Sequence, residues 1–276
     1  MLETRDLTIR FGGHVAVNAV SCAFAPGTLT AIVGPNGAGK TTYFNLISGQ
    51  LRASAGTVAL GGRDLTGQSP SARTRAGLGR AFQLTNLFAG LTVLENVRLA
   101  VQATRAGAHR RGLNLWSIWG DHRALTERAQ AILRTVSMLE RSDTPVASLP
   151  HGDQRKLEVA LLMALEPQVY MFDEPTAGMD HDEAPVILNL IRELKKDKTK
   201  IILLVEHKMD VVRELADRII VLTNGTLVAD GAPAEVIASP VVQEAYLGLT
   251  PQDASGGTYA LPHPDLPPSG GRGEQP

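Results

Sequence analysis

The sequence predicts an α/β protein: a parallel sheet core, a small antiparallel β subdomain beside it and an α-helical subdomain inserted into it. Three observations carry the prediction. A short apolar strand runs straight into a glycine-rich turn and a helix around Ala31–Thr42, strand and helix alternate again from Val169 to Val205, and helical periodicity dominates from about Ser69 to Glu166 between them.

Taken in order, Leu2 to Phe11 and Val20 to Phe24 read as strands, and Ala25-Pro26-Gly27 as the turn into the strand Leu29 to Val33. That strand leads into Gly34-Pro35-Asn36-Gly37-Ala38-Gly39-Lys40-Thr41-Thr42, a complete match to G-x-x-x-x-G-K-[ST]. Glycines let the backbone approach a polyphosphate closely, so that successive N–H groups point inward as donors. Lys40 supplies a positive charge for the β and γ phosphates, and Thr41 a hydroxyl for Mg²⁺. A helix starting near Lys40 turns its positive end toward the anion. Phe44 and Ile47 share one face of that helix, and Gly49 stands where it ends. Gly56 to Gly62 reads as a further short strand with a tight turn, completing the antiparallel group.

In the helical region, Thr92-Val93-Leu94-Glu95 has the spacing of a capping box, in which Thr92 accepts from the Glu95 N–H and Glu95 reaches back. Leu125 to Met138 continues with apolar residues at helical intervals. Leu157 to Leu165 is apolar nearly all round and is therefore a buried helix. Val169 to Phe172 and Ile201 to Val205 are buried strands with the amphipathic helix Val186 to Leu194 between them, which implies a parallel sheet covered on both faces. Ile219 to Leu222 and Thr226 to Val228 flank an Asn224-Gly225 turn, short helices follow at about Ala234 to Ala238 and Val241 to Tyr246, and 250–276 reads as a disordered tail.

With 27 basic and 28 acidic residues there is no bulk positive field, and no nucleic-acid partner is expected. The single cysteine, Cys22, allows no internal disulfide. The first residues hold no apolar signal core, and the longest apolar runs are too short to cross a bilayer. Any work at a membrane therefore runs through partners.

Asp173 and Glu174 follow the apolar strand at its carboxyl end, where parallel sheets bind ligands. After a phosphate loop, Asp173 suits the Mg²⁺ shell and Glu174 a water aimed at the γ-phosphate.

At these residues the chain resembles the nucleotide-binding subunit of ABC transporters, over about Leu2 to Leu249. The resemblance implies a P-loop NTPase (RecA-like) core, ATP and Mg²⁺ as cofactors, and further site residues. Gln83 matches the glutamine that contacts Mg²⁺ and senses the membrane partner. Leu149-Pro150-His151-Gly152-Asp153 stands at the Leu-Ser-Gly-Gly-Gln signature, which touches the γ-phosphate of ATP held by the opposite subunit. Asp180 lies in the loop crossing the dimer seam, and His207 matches the switch histidine between γ-phosphate and catalytic carboxylate. Phe11 occupies the place of the aromatic that stacks on adenine, although a core-facing strand aromatic reads equally well. Pro150 departs from the pattern: proline removes a hydroxyl and an N–H, and one lost charge-assisted donor costs about 1.5–3 kcal/mol. Proline just ahead of a helix leaves the local fold intact.

Phe11-Gly12-Gly13, Gly90 to Val97, Val205-Glu206-His207-Lys208-Met209-Asp210 and Ala245-Tyr246-Leu247-Gly248 resemble the branched-chain amino acid importer branch. Urea or amide importers share many of these features, and the lipopolysaccharide exporter subunit ends similarly. Arg98, Arg105, Arg110 and Arg111 near Trp116 and Trp119 allow a permease or lipid contact surface, but the preferred reading is a tryptophan plug with solvated arginines.

The resemblance implies an ATP hydrolase that energises uptake of branched-chain amino acids from the cytoplasmic face of the bacterial inner membrane. Glu174 and His207 would be catalytic. Its partners would be a second, related ATP-binding subunit, two transmembrane permeases and, indirectly, a periplasmic solute-binding protein. The expected organisation is one nucleotide-binding domain over 1–249 with its helical subdomain at about 69–166. A soluble ABC ATPase outside transport is the alternative of another class, and a nucleotide-gated scaffold without turnover is a third.

Overall fold

The computed structural model describes residues 1–81, 87–108, 117–179, 184–240 and 242–243, with the side chains of 105–108 and 117–122 outside the description. Two sheets organise it. β1 (Leu2–Phe11), β2 (His14–Phe24), β4 (Ala55–Leu60) and β5 (Arg63–Asp64) form an antiparallel sheet in the order β2-β1-β4-β5. β3 (Leu29–Val33), β6 (Leu78–Ala81), β7 (Val169–Asp173), β8 (Ile201–Val205), β9 (Arg218–Thr223) and β10 (Thr226–Gly231) form the second, in the order β10-β9-β3-β8-β7-β6. From β9 to β6 every pairing is parallel, and only the β9–β10 hairpin is antiparallel. That hairpin turns at Asn224 and Gly225, both with positive φ (48° and 75°), as a two-residue turn between right-twisted strands requires.

Strict alternation along β7 and β8 explains the layers. Tyr170, Phe172, Ile202 and Leu204 face α5 (His151–Leu165) and α6 (Ala184–Lys195), while Val169, Met171, Ile201 and Leu203 face α1 (Lys40–Ser48) and the antiparallel sheet. α7 (Met209–Leu215) and α8 (Pro233–Ala238) cover the β3–β9 side through Val212 and Val236. Both faces of the parallel sheet are thus sealed, and ligand access is left to its carboxyl edge.

The helical reading of 69–166 needs one correction. α2 (Pro70–Arg75) is helical and capped by Ser69, but Leu78–Ala81 is the edge strand of the main sheet, paired in parallel with β7. The inserted helices are α3 (Val93–Ala108), α4 (Ser117–Thr135), which begins earlier than the periodicity indicates, and α5. β2 starts at His14 rather than Val20. The capping box is formed as read: Glu95 N–H donates to Thr92 Oγ1 (3.2 Å), and Thr92 N–H donates to Glu95 Oε2 (2.8 Å). No helix among the described residues is long and apolar enough to cross a membrane. The second short C-terminal helix, for the most part, and the tail 250–276 lie outside the described residues.

Candidate nucleotide site

Backbone geometry comes first in this site. Gly34 has φ 154°, and a Cβ there would stand 2.1 Å from the Leu222 carbonyl oxygen; Gly39 has φ 93°, and a Cβ there would stand 2.5 Å from the Ala16 oxygen. Only glycine fits either place. The loop is also pinned from outside, because Gly225 N–H donates to Ala38 O (3.0 Å) and Ala38 N–H to Pro35 O (3.2 Å). Asn36, Gly37 and Thr41 remain exposed, with Pro35 and Thr42 half-buried. α1 follows directly, with no acidic residue in its first turn and no side-chain cap, so its leading N–H groups have no competing anion on their own helix.

Lys40 is 8% exposed, and its Nζ donates to Gly34 O (2.6 Å) and Pro35 O (2.9 Å). Burial pulls its pKa down, while the charges of Glu174 and Asp173 hold it up. A buried ammonium resting on two carbonyls of a phosphate loop can exchange them for phosphate oxygens at little rearrangement.

Asp173 closes β7. Its Oδ2 accepts from Arg80 Nη2 at 2.8 Å, a pair with side-chain exposures of 8% and 9%. Burial raises the Asp173 pKa, and Arg80 opposes that rise. Glu174 comes next with φ 47°, an uncommon conformation for a residue with a side chain, fixed by its N–H donating to Val205 O (2.9 Å). The Glu174 carboxylate therefore leaves the sheet edge beside His207, whose Nδ1 lies 3.8 Å from Glu174 Oε1 and 3.5 Å from Glu206 Oε1. Glu206 is buried (1%). Its Oε1 accepts the N–H of His207 (2.9 Å) and of Lys208 (3.1 Å), and its Oε2 has no partner among the described residues.

The signature stretch opens α5. Pro150 is exposed at the N-cap without a side-chain cap, His151 is exposed and Gly152 buried. Asp153 points inward, paired with Lys156 (3.0 Å) and Arg141 (2.9 Å). Phe11 is half exposed at the end of the β1–β2 hairpin, so the core-facing reading of its ring is overturned. Gln83 and Asp180, together with Arg110, Arg111 and Trp116, lie outside the described residues, as do the side chains of Arg105 and Trp119. Two residues with a place in this geometry carry no role in the sequence pattern, Arg80 and Glu206. Arg80 lies three residues before Gln83 and Glu206 directly before His207, but only the fold brings them to Asp173 and to the His207 amide.

A parallel sheet with a phosphate loop at β3, an Asp-Glu pair at β7 and a histidine after β8 defines a P-loop ATPase. Comparison with known proteins makes this specific. The profile of the family described as ABC transporter matches residues 17–177, and that described as branched-chain amino acid ATP-binding cassette transporter matches 226–248. The chain is 37% identical over 249 residues to the high-affinity branched-chain amino acid transport ATP-binding protein LivG of Escherichia coli, covering 90% of this chain and 98% of that protein. It is 34% identical over 257 residues to BraF of Pseudomonas aeruginosa, a protein of the same description, with coverage of 90% and 98%. Among solved structures, the ADP conformation of an ATP-binding cassette of an ABC transporter aligns with TM-score 0.74 and 29% identity, over 90% of this chain and 99% of that one. The chain belongs to the ABC transporter family, as an ATP-binding subunit that couples ATP hydrolysis to transport.

Proposed function

We propose that the chain drives import of branched-chain amino acids, paired with a second ATP-binding subunit and seated on two permeases at the cytoplasmic face of the inner membrane. The substrate class is supported by the names of its relatives and by the branched-chain profile at its C-terminal end. The observation that carries the catalytic reading is the convergence of the Gly34–Thr41 loop, Asp173-Glu174 and His207 at one edge of one sheet. Residues 1–249 are read as one nucleotide-binding domain whose helical insert lies between β6 and β7.

The residues present fit MgATP. The loop runs so close to the Leu222 and Ala16 carbonyls that Gly34 and Gly39 admit no Cβ, which fixes the path of its backbone, and Asp173 Oδ1 takes no protein donor among the described residues. Among those residues there is no cluster of three or more His, Cys, Asp or Glu side chains, nor is one needed, since Mg²⁺ bound with nucleotide takes one or two carboxylates beside phosphate and water. Thr41, Asp173 and Gln83 would hold the ion, which supplies charge neutralisation between the β and γ phosphates. Lys40 leaves the Gly34 and Pro35 carbonyls for those phosphates. Glu174 orients and deprotonates the attacking water, and His207 holds Glu174 on one side and the γ-phosphate on the other. Pro150, His151 and the Gly152 backbone face the ATP of the second subunit, whereas Asp153, turned inward onto Lys156 and Arg141, holds the start of α5 rather than touching that ATP; Asp180 lies at the seam, and Phe11 meets adenine.

Fluorescent-ATP titration tests the binding half of this reading: Lys40→Ala should lose tight binding with the fold intact. A Lys40→Ala protein that binds as tightly as the parent would overturn it.

A further inference from the structure

Arg80 is a buried cation with no part in the proposed hydrolysis. It stands on β6, whose neighbour β7 carries Asp173, and its guanidinium reaches across to the helix of the phosphate loop. Nη2 donates to Asp173 Oδ2 (2.8 Å), while Nη1 donates to Asn45 Oδ1 (2.6 Å) and Ser48 Oγ (2.8 Å) of α1. The guanidinium carbon lies 4.9 Å from the centroid of the Phe44 ring, also on α1, so the planar group is held in orientation as well as in place. Burial lowers the Arg80 pKa and Asp173 raises it again. A largely desolvated pair of this kind adds little net stability over an apolar isostere, which leaves its geometry to be explained.

The geometry points to Arg80 as a positioning residue for the Mg²⁺ carboxylate: by holding Asp173 Oδ2 against α1, it leaves Oδ1 for the ion. The fork ties one end of Asp173 to the same helix that begins with Lys40 and Thr41, so the loop that receives the phosphates and the carboxylate that receives the metal move as one body. A lysine could satisfy one of these partners but not the fork, because an ammonium has no planar bidentate face. Without Arg80, Asp173 is a largely buried carboxylate whose remaining neighbouring cation among the described residues is Lys40, and nothing among them holds its Oδ2. The inference rests on the proposed role of Asp173 at Mg²⁺, and it concerns metal-dependent affinity rather than ATP binding as such.

The test is the affinity of the full chain for a fluorescent ATP analogue, measured in excess Mg²⁺ and again in excess EDTA. Arg80→Ala should leave the EDTA value within about twofold and cut the Mg²⁺-dependent gain by about tenfold or more, the range typical of groups that orient a metal ligand. Arg80→Lys should recover only part of the gain. If Arg80→Ala does not fold, the pair Asn45→Ala and Ser48→Ala frees the fork from α1 while keeping the charge, and should lose part of the same gain. A Mg²⁺-dependent gain equal to the parent's in the folded variants overturns the inference, as does an equal loss in Mg²⁺ and EDTA, which would mark Arg80 as structural support for the loop. A parent chain whose affinity does not respond to Mg²⁺ overturns the inference while ATP binding stands; a parent that binds no nucleotide in either condition overturns both readings.

Discussion

Glu174 and His207 leave the ends of two adjacent parallel strands, with Glu174 Oε1 3.8 Å from His207 Nδ1. Both are about half exposed on that edge, accessible to water and to a second subunit. The bond from Glu174 N–H to Val205 O, one residue before Glu206 and two before His207, fixes where the carboxylate emerges. Glu174→Gln keeps the shape and removes the carboxylate proposed as the base. In the assembled transporter it should lower ATP turnover by about 10²-fold or more while ATP stays bound. The check is single-turnover hydrolysis beside equilibrium ATP binding, and equal loss of both would show that the residue supports structure instead.

Pro150 caps α5 with no side-chain bond. Pro150→Ser introduces a hydroxyl that can accept from the first turn, which should raise stability by about 1 kcal/mol. On the proposed arrangement of two subunits, the same change restores an N–H and an O–H toward the ATP held by the second one. Turnover of the assembled transporter should rise by about tenfold. Raised melting temperature with unchanged turnover would confine the role of the position to capping.

Arg73 is 2% exposed and holds four carbonyls: Leu46 O (2.6 Å) and Ile47 O (2.7 Å) at the end of α1, Thr66 O (2.7 Å) and Gln68 O (3.2 Å). Arg73→Met fills the volume but strands the α1 carbonyls. Urea denaturation should show a loss of about 3 kcal/mol. A loss below about 1 kcal/mol would mean that water replaces the guanidinium.

Glu95 carries the pH dependence of the α3 start. The backbone N–H of Thr92, then its hydroxyl, hold the Glu95 carboxyl below the usual range. A depressed folded-state pKa means stability that is present above the unfolded value and disappears as pH falls through the folded one. Glu95→Gln should therefore flatten the stability profile on the acid side of about pH 4.3, the ordinary glutamate value, and leave its shape near neutrality unchanged. Melting temperature against pH is the measurement, and parallel profiles for parent and variant would refute the assignment.

Elements written in local pattern are legible in the sequence itself. The Gly34–Thr41 loop, the Thr92/Glu95 box and the Asn224-Gly225 turn each depend on residues within a few positions of one another. β6 is not legible in that way. It is four residues long, with Gly79 and Arg80 inside it, and its strand character comes from pairing with β7 far along the chain. Gly79 is there for closeness: a Cβ would stand 2.4 Å from Leu162 Cδ1 and 2.7 Å from Pro167 Cγ. The Arg80–Asp173 pair spans 93 positions, beyond any periodicity. Glu206 reads as a branch feature in sequence, and only burial reveals a carboxylate fixing the His207 and Lys208 amides.

On the proposed function, ATP hydrolysis by this chain is coupled to the movement of branched-chain amino acids through its permeases. The most direct measurement is the ATPase rate of the purified chain with its second ATP-binding subunit and permeases in lipid vesicles, with and without solute-binding protein loaded with leucine. The predicted result is a rate that the loaded binding protein stimulates and that Glu174→Gln suppresses. A rate that is the same for the isolated chain, or that survives Glu174→Gln, would contradict it.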